Sequence, residues 1–205
     1  MCCVLILSYA SHAQFAKGSK LIGGNFSVFS TAHTLDGIEN KYTSISIAPS
    51  IGKFYKQNRM FGVSVSVSTT FRKDRADDYG YGAGIFLRQY KPLAKSAFLL
   101  FIEENASASR ERSKQFTRGS NDFYQQYSYH RVALGISPGL AYSLSRNLQL
   151  EASIPSFLLF HYQAMKTKVA GSSSPEEKNN SFVFSSGLSS TALGDLSVGV
   201  RWLIP

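Results

Sequence analysis

Four charged residues fall on one face of the alternating strands that the sequence predicts, opposite the large apolar side chains. They are Arg88 and Glu103 in one neighbouring pair of strands, and Glu151 and Arg201 in another. Opposite charges at similar depth can neutralise each other, whereas an unpaired buried charge is costly. We therefore predict that these residues form a charge network, and that this network plugs the narrow interior of a barrel formed by the strands. A gated ion path and an error in the strand assignment are the alternatives.

Histidine and serine side chains near the predicted strand ends form a second candidate set: Ser128, His130, Ser156 and His161. A lipid-modifying enzyme built on a barrel would need a Ser–His–acid arrangement near one rim. The spacing of these residues forms no motif, and histidine and serine are common polar residues at such a boundary. We therefore predict a non-catalytic protein and keep a lipid-modifying enzyme as the alternative.

Basic side chains form a third candidate set in the longest predicted loop: Arg110, Arg112, Lys114 and Arg118. Arginine pairs bidentately with phosphate, so these residues could contact lipopolysaccharide. A solvated loop without a ligand is the simpler alternative.

Composition limits the classes of partner. The chain has 205 residues, of which 22 are basic and 13 acidic, for a net charge of +9. This balance suits nucleic acid, a membrane surface or an acidic lipid headgroup. No run of about five basic residues occurs, so we predict no nucleic-acid partner. No apolar stretch reaches about 18 residues, so we expect no transmembrane helix.

The N-terminus predicts export. A short apolar run followed by Ser11, His12 and Ala13 resembles the end of a signal peptide, which we place at residues 1–13, with a barrel domain over 14–205. Cys2 and Cys3 lie inside this segment. The mature chain would then have no thiol for a disulfide, a zinc–thiolate site or a nucleophile, and we expect no metal and no cofactor.

Period-two alternation is the main signal for the fold. In residues 130–144 large apolar side chains occupy most even positions, and Gly, Ala and Ser occupy most odd ones. A face of very small residues suits the crowded inside of a narrow barrel whose large apolar side chains point into lipid. The same pattern predicts eight strands: about 20–31, 41–55, 61–71, 79–90, 97–109, 130–144, 148–165 and 181–202.

The connections between these strands alternate between long and short, as in transmembrane barrels with short periplasmic turns. We therefore predict an all-β, eight-stranded, antiparallel up-and-down transmembrane barrel in a bacterial outer membrane. A soluble secreted β-protein is the alternative fold assignment. The sequence indicates no oligomeric state.

Aromatic residues at both strand ends predict two interfacial girdles. They are Phe54, Tyr55, Phe98, Tyr142 and Trp202 at the short-turn end, and Tyr79, Tyr81, Tyr127, Tyr129, Phe160 and Tyr162 at the other.

Three residues interrupt the strand pattern. Pro49 and Pro138 lie in mid-strand, where proline cannot donate to a ladder, so we expect bulges there. Strict alternation puts Glu104 on the lipid face, unless a bulge shifts the phase or the strand boundary is misplaced.

Several sequence phrases resemble the small outer-membrane β-barrel proteins of Bacteroidota. They are LGISPGLAYSLSRNLQLEAS at 134–153, KG at 17–18 before LIGG at 21–24, and LSVGVRW at 196–202. The resemblance implies a barrel that contacts outer-membrane lipid and is inserted by the barrel-assembly machinery, with Trp202 as the aromatic insertion signal. Here Leu203, Ile204 and Pro205 follow that tryptophan, which departs from the family pattern.

Overall fold

The strands form one antiparallel sheet that closes on itself in this computed structural model. It describes residues 15–35, 38–72, 78–93, 96–117, 123–155, 157–169, 177–186 and 197–205. The strands are β1 (Lys20–Leu35), β2 (Ile38–Lys56), β3 (Arg59–Arg72), β4 (Asp78–Pro92), β5 (Phe98–Thr117), β6 (Phe123–Ser143), β7 (Leu148–Ser153), β8 (Leu158–Val169), β9 (Glu177–Ser186) and β10 (Ser197–Ile204).

Closure comes from the pairing of β5 with both β4 and β6. The ring then runs β1, β2, β3, β4, β5, β6, β7 and β10, and β10 pairs back to β1. This ring closes the lower part of the barrel, as a sheet in lipid requires. Above it the described pairings join β9 only to β8, and β1 beyond Phe26 only to β2. The predicted eight-stranded antiparallel barrel is confirmed.

Two predicted strands are each divided into two segments. The seventh becomes β7 and β8, which both pair with β6. The eighth becomes β9, which pairs with β8, and β10, which completes the ring. Residues 187–196, between these two segments, lie outside the described residues.

The strands are longer at one end than the sequence predicted. Strand β5 continues to Thr117 and β6 already begins at Phe123, so most of the predicted loop between them is strand. In the same way β1 continues to Leu35, and β2 already begins at Ile38. The prediction of long loops between the first and second strands and between the fifth and sixth strands was wrong, because successive polar residues resemble a loop. Their backbones can still pair where the barrel rises beyond the apolar band.

The expected bulges at the two prolines are absent. The β1–β2 register is continuous through Pro49, and the β5–β6 register is continuous through Pro138. The irregularity near Pro138 lies in the partner strand, between Ser153 and Leu158, where β7 ends and β8 begins. There the Ile154 N–H donates to the Pro138 carbonyl over 3.1 Å. Since proline has no N–H to donate, the interruption falls on the strand opposite it.

Large apolar side chains cover the outside of the ring. Val65, Val67 and Leu134 are 54%, 62% and 56% exposed, and Val63 and Leu140 face the same way. Such a surface is far larger than a soluble protein leaves uncovered. No helix in the described part of the chain is long and apolar enough to cross a membrane.

Most predicted girdle residues lie on this outer face, including Tyr55, Trp202 and Tyr79. The prediction that Phe54 belongs to a girdle was wrong, since Phe54 is fully buried inside the barrel. The prediction was also wrong for Tyr127 and Tyr129. Alternation along β6 turns their stacked rings inward, on the face opposite Val132.

Glu104 lies on the outer face, as strict alternation predicted. It is exposed, and its partners on the two neighbouring strands are Leu87 and Ile136. The ladders on both sides are continuous there, so no bulge shifts the phase. A carboxylate therefore interrupts the apolar band.

We predict that Glu104→Leu raises the free energy of unfolding from lipid bilayers by about 1 kcal/mol, because a lipid-facing charge is removed. The matched control is Glu103→Leu, one residue earlier and facing the lumen. It should lower that free energy, since Arg88 loses a carboxylate partner. Reversible denaturant unfolding in vesicles measures both changes. Equal effects of the two substitutions would contradict the assigned faces.

Candidate functional site

Glycines on the inner face make room for large side chains from neighbouring strands. A Cβ added at Gly139 would overlap the ring of Phe101, and one at Gly62 would overlap the ring of Phe86. The inner face therefore carries small residues because aromatic rings from neighbouring strands occupy the space beside them. Large inward side chains fill the lower lumen, toward the short-turn end.

The Glu151 carboxylate lies at the centre of the lumen, between two arginines. Arg88 donates from Nη1 to both Glu151 oxygens at 2.8 Å, and Arg201 donates from Nε to Glu151 Oε2 at 3.0 Å. The side chains of Arg88 and Glu151 are each only 2% exposed. Two cations on one carboxylate leave a positive charge, which requires a second anion.

Glu103 supplies that second carboxylate. Arg88 donates from Nε to Glu103 Oε2 over 2.9 Å. The Glu103 side chain is 18% exposed, so it lies at the solvent-accessible side of the network. The two arginines and two glutamates balance in formal charge.

Neutral side chains satisfy the remaining donors. Arg201 donates from Nη2 to Asn25 Oδ1 over 2.8 Å and from Nη1 to the Ser50 hydroxyl. The Tyr90 hydroxyl accepts from Arg88 Nη1 over 2.9 Å and donates to Glu151 Oε1 over 3.1 Å. Buried charges with this many hydrogen-bond partners are far less costly than isolated ones.

The four predicted network residues therefore lie together in the structure. They form one continuous network rather than two separate pairs, because Arg88 reaches across the lumen to Glu151 as well as to Glu103. Sequence alternation placed the charges on the inner face. It did not predict that Tyr90 belongs to the network, where its hydroxyl is hydrogen-bonded to Arg88 and Glu151.

A buried aromatic cluster lies in the lumen on the other side of this network. Phe15, which precedes the first strand, is 2% exposed and stacks on Phe54 with ring centroids 4.5 Å apart. Its ring also meets Tyr90 edge-on at 4.8 Å. The Phe15 backbone is fixed to the β2–β3 turn, since its N–H donates to Asn58 Oδ1 over 2.9 Å.

The aromatic cluster and the charge network share one residue. The Arg88 guanidinium carbon lies 4.4 Å from the ring centroid of Phe101 and 5.5 Å from that of Phe86. Aromatic faces attract a cation, most strongly where water is excluded. Arg88 thus joins the two layers that cross the lumen.

The candidate catalytic residues that the structure describes lie on two different faces of the barrel wall. Ser128 and His130 lie on the outer face of β6, whereas His161 is opposite Ala133, a residue of the inner face. Ser156 lies outside the described residues. Alternation therefore places His161 on the opposite side of the barrel wall from Ser128 and His130.

The candidate basic residues lie in a strand rather than in the predicted loop. Arg110, Arg112 and Lys114 follow one another at every second position of β5. They share the outward face with Ile102 and Glu104. Arg118 lies outside the described residues. Arg110, Arg112 and Lys114 therefore form a row of cations on the barrel wall instead of lying in a loop.

The closed ring, its apolar outer face and its charged inner face define a β-barrel of the membrane-spanning class. No protein-family model matches the chain, and no curated protein matches its sequence. Solved structures do match its fold. The outer membrane protein OprG from Pseudomonas aeruginosa aligns at 12% identity and a TM-score of 0.51, over 92% of this chain and 97% of that one.

Two further structures align at lower TM-scores. Neisserial surface protein A gives 18% identity and a TM-score of 0.49, over 92% of this chain and 98% of its own. A major outer membrane protein from Thermus thermophilus gives 12% identity and 0.41, over 91% and 99%. The fold likeness therefore rests on OprG, an outer-membrane protein, and at 12% identity it concerns the fold alone.

We predict that Glu151→Gln lowers the free energy of unfolding by about 3–5 kcal/mol, because two buried guanidinium groups lose their shared anion. Denaturant unfolding in vesicles measures the change, and Glu177→Gln, at an exposed position, is the control. A loss below about 1 kcal/mol would show that the buried network does not stabilise the barrel.

We predict that Phe15→Ala lowers the free energy of unfolding by about 3 kcal/mol, since the stacked ring leaves a cavity against Phe54 and Tyr90. Phe184→Ala is the control, because that ring is 71% exposed on the outer face of β9. Comparable losses in both variants would argue against a specific packing role for Phe15.

Proposed function

We propose that the chain is a non-catalytic protein of the bacterial outer membrane, with a structural or surface-interaction role and a lumen closed to ions. One observation carries this proposal. The charge network and the aromatic cluster together cross the lumen, and their side chains are almost completely buried. A narrow barrel filled in this way has no room for a continuous water column.

The outer-membrane location rests on the apolar outer face and on the fold of the structural neighbours. Residues such as Val67 and Leu134 would be exposed to water in a soluble secreted protein, which disfavours that alternative. Membership of the Bacteroidota barrels remains a proposal that rests on the sequence phrases. The same holds for insertion by the barrel-assembly machinery, whose signal we assign to Trp202.

A lipid-modifying enzyme remains the alternative of another class. It would need a nucleophile, a base and an acid within hydrogen-bond reach. The separation of His161 from Ser128 and His130 by the barrel wall supports the non-catalytic proposal. Hydrolysis of a phospholipid or of lipid A that is lost in His161→Ala would support the enzyme instead.

Membrane fractionation combined with cysteine labelling tests the proposal. We expect the protein in the outer-membrane fraction, with a heat-dependent shift in gel mobility. Both cysteine variants are made in a background without Cys2 and Cys3. Ser66→Cys lies on the inner face of β3, between the charge network and the long-loop end of the barrel. Met60→Cys lies in the buried cluster at the short-turn end.

A water-soluble maleimide added outside intact cells should label Ser66→Cys and leave Met60→Cys unlabelled. The same reagent after denaturation should label both variants, which controls for expression. Equal labelling of both sites in native membranes would refute a closed lumen. A protein found only in the soluble fraction would refute the membrane location.

A further inference from the structure

The outer surface carries a cluster of cations at the end of the barrel away from the short turns. We call it the outer basic patch, and it consists of Arg110, Arg112 and Lys114 on β5, Lys166 and Lys168 on β8, and Lys178 on β9. Strand β5 contributes to it from one side of β6, and β8 and β9 contribute from the other. Strands β5 and β8 both pair with β6, and β9 pairs with β8.

Strand register fixes these cations in rows. Arg112 is opposite Ser128, which is opposite Lys166, which in turn is opposite Lys178. Directly paired residues of antiparallel strands project from the same face, with Cβ atoms about 4.5–5.5 Å apart. Lys166 and Lys178 are therefore like charges at close range, an arrangement that is destabilising unless an anion lies near.

No acidic side chain in the described parts of β5, β6, β8 and β9 lies beside Lys166 and Lys178 on the outer face. The nearest outward carboxylate along β5 is Glu104, six positions before Arg110. Glu111 projects from the opposite face, since it alternates with Arg110 and Arg112. The described residues of these strands therefore supply no anion to relieve the repulsion between the two lysines.

Aromatic residues fix the height of the patch relative to the bilayer. Tyr79 is paired with Arg112 and Tyr81 with Arg110, and both tyrosines are more than half exposed on the outer face. Phe182 lies below Lys178 on β9 and is 72% exposed. Exposed aromatic side chains of this kind mark the depth of lipid headgroups. The cations thus lie where headgroup phosphates lie.

We propose that the outer basic patch binds the phosphate groups of a diphosphorylated glycolipid in the leaflet at this end of the barrel. This inference rests on the proposed membrane location. Arg112 supplies a planar, bidentate donor, and Lys166 and Lys178 add point charges beside it. A lipid with two phosphates spans adjacent strands and relieves the repulsion between the two lysines.

The test uses the purified barrel in zwitterionic detergent, titrated with diphosphoryl lipid A while its Tm is measured. A ligand that binds the folded state raises Tm with concentration. The triple variant Arg112→Gln, Lys166→Gln, Lys178→Gln should bind at least about tenfold more weakly, because one charge-assisted contact alone is worth about that factor.

The matched control is the variant Lys53→Gln, Lys56→Gln, Lys91→Gln. It removes the same charge from exposed positions at the short-turn end and should bind lipid A as the wild type does. Added salt should weaken binding by the wild type. Equal affinity in the triple variant and the wild type, or no rise in Tm for the wild type, would overturn the inference.

Two further titrations separate the possible sources of the signal. Inorganic phosphate at the same phosphate concentration should leave Tm unchanged, and an equal rise would indicate an ion site instead of a lipid site. Phosphatidylcholine should also have little effect, and an equal rise would indicate general lipid stabilisation. Failure of any of these leaves fractionation and cysteine labelling unaffected, so the proposed function is tested separately.

Discussion

The interaction on which the lower lumen depends is the placement of Glu151 between the guanidinium groups of Arg88 and Arg201. One carboxylate cannot balance two buried cations, so Glu103 must approach from β5, and polar groups must satisfy the remaining donors. Arg88 can occupy this position only because aromatic rings pack around it. These rings in turn need glycine opposite them, which is why the inner face is built of small residues.

Lipid imposes the complementary constraint on the outer face. Every strand must pair on both sides, and the residues between the pairs must be apolar over the depth of the hydrocarbon. The eight-stranded ring meets this through regular alternation, and the exposed carboxylate of Glu104 interrupts its apolar face. Farther along β5 the same alternation places Arg110 and Arg112 outward. One periodicity therefore produces both the lipid-facing band and the basic row next to it.

Period-two alternation predicted the strand number, the outward side of Val63 and Leu134, and the inward side of the network charges. It could not predict strand ends, because polar residues pair across a ladder as well as they form loops; β5 therefore continues past Ser109. It also missed Phe15, which precedes the first strand and belongs to no alternating pattern. Its role follows from tertiary packing against Phe54 and Tyr90 alone. The expected proline bulges are absent: the register is continuous at Pro49, and at Pro138 the irregularity lies in the partner strand.

The central claim is that buried side chains close the barrel to ions. The most direct test is single-channel recording of the wild-type protein reconstituted in planar bilayers, with empty bilayers and a known open barrel as references. A closed lumen predicts no stepwise conductance above the empty bilayer over the voltage range in which the bilayer is stable. Reproducible conductance steps that scale with the amount of inserted protein would contradict the claim.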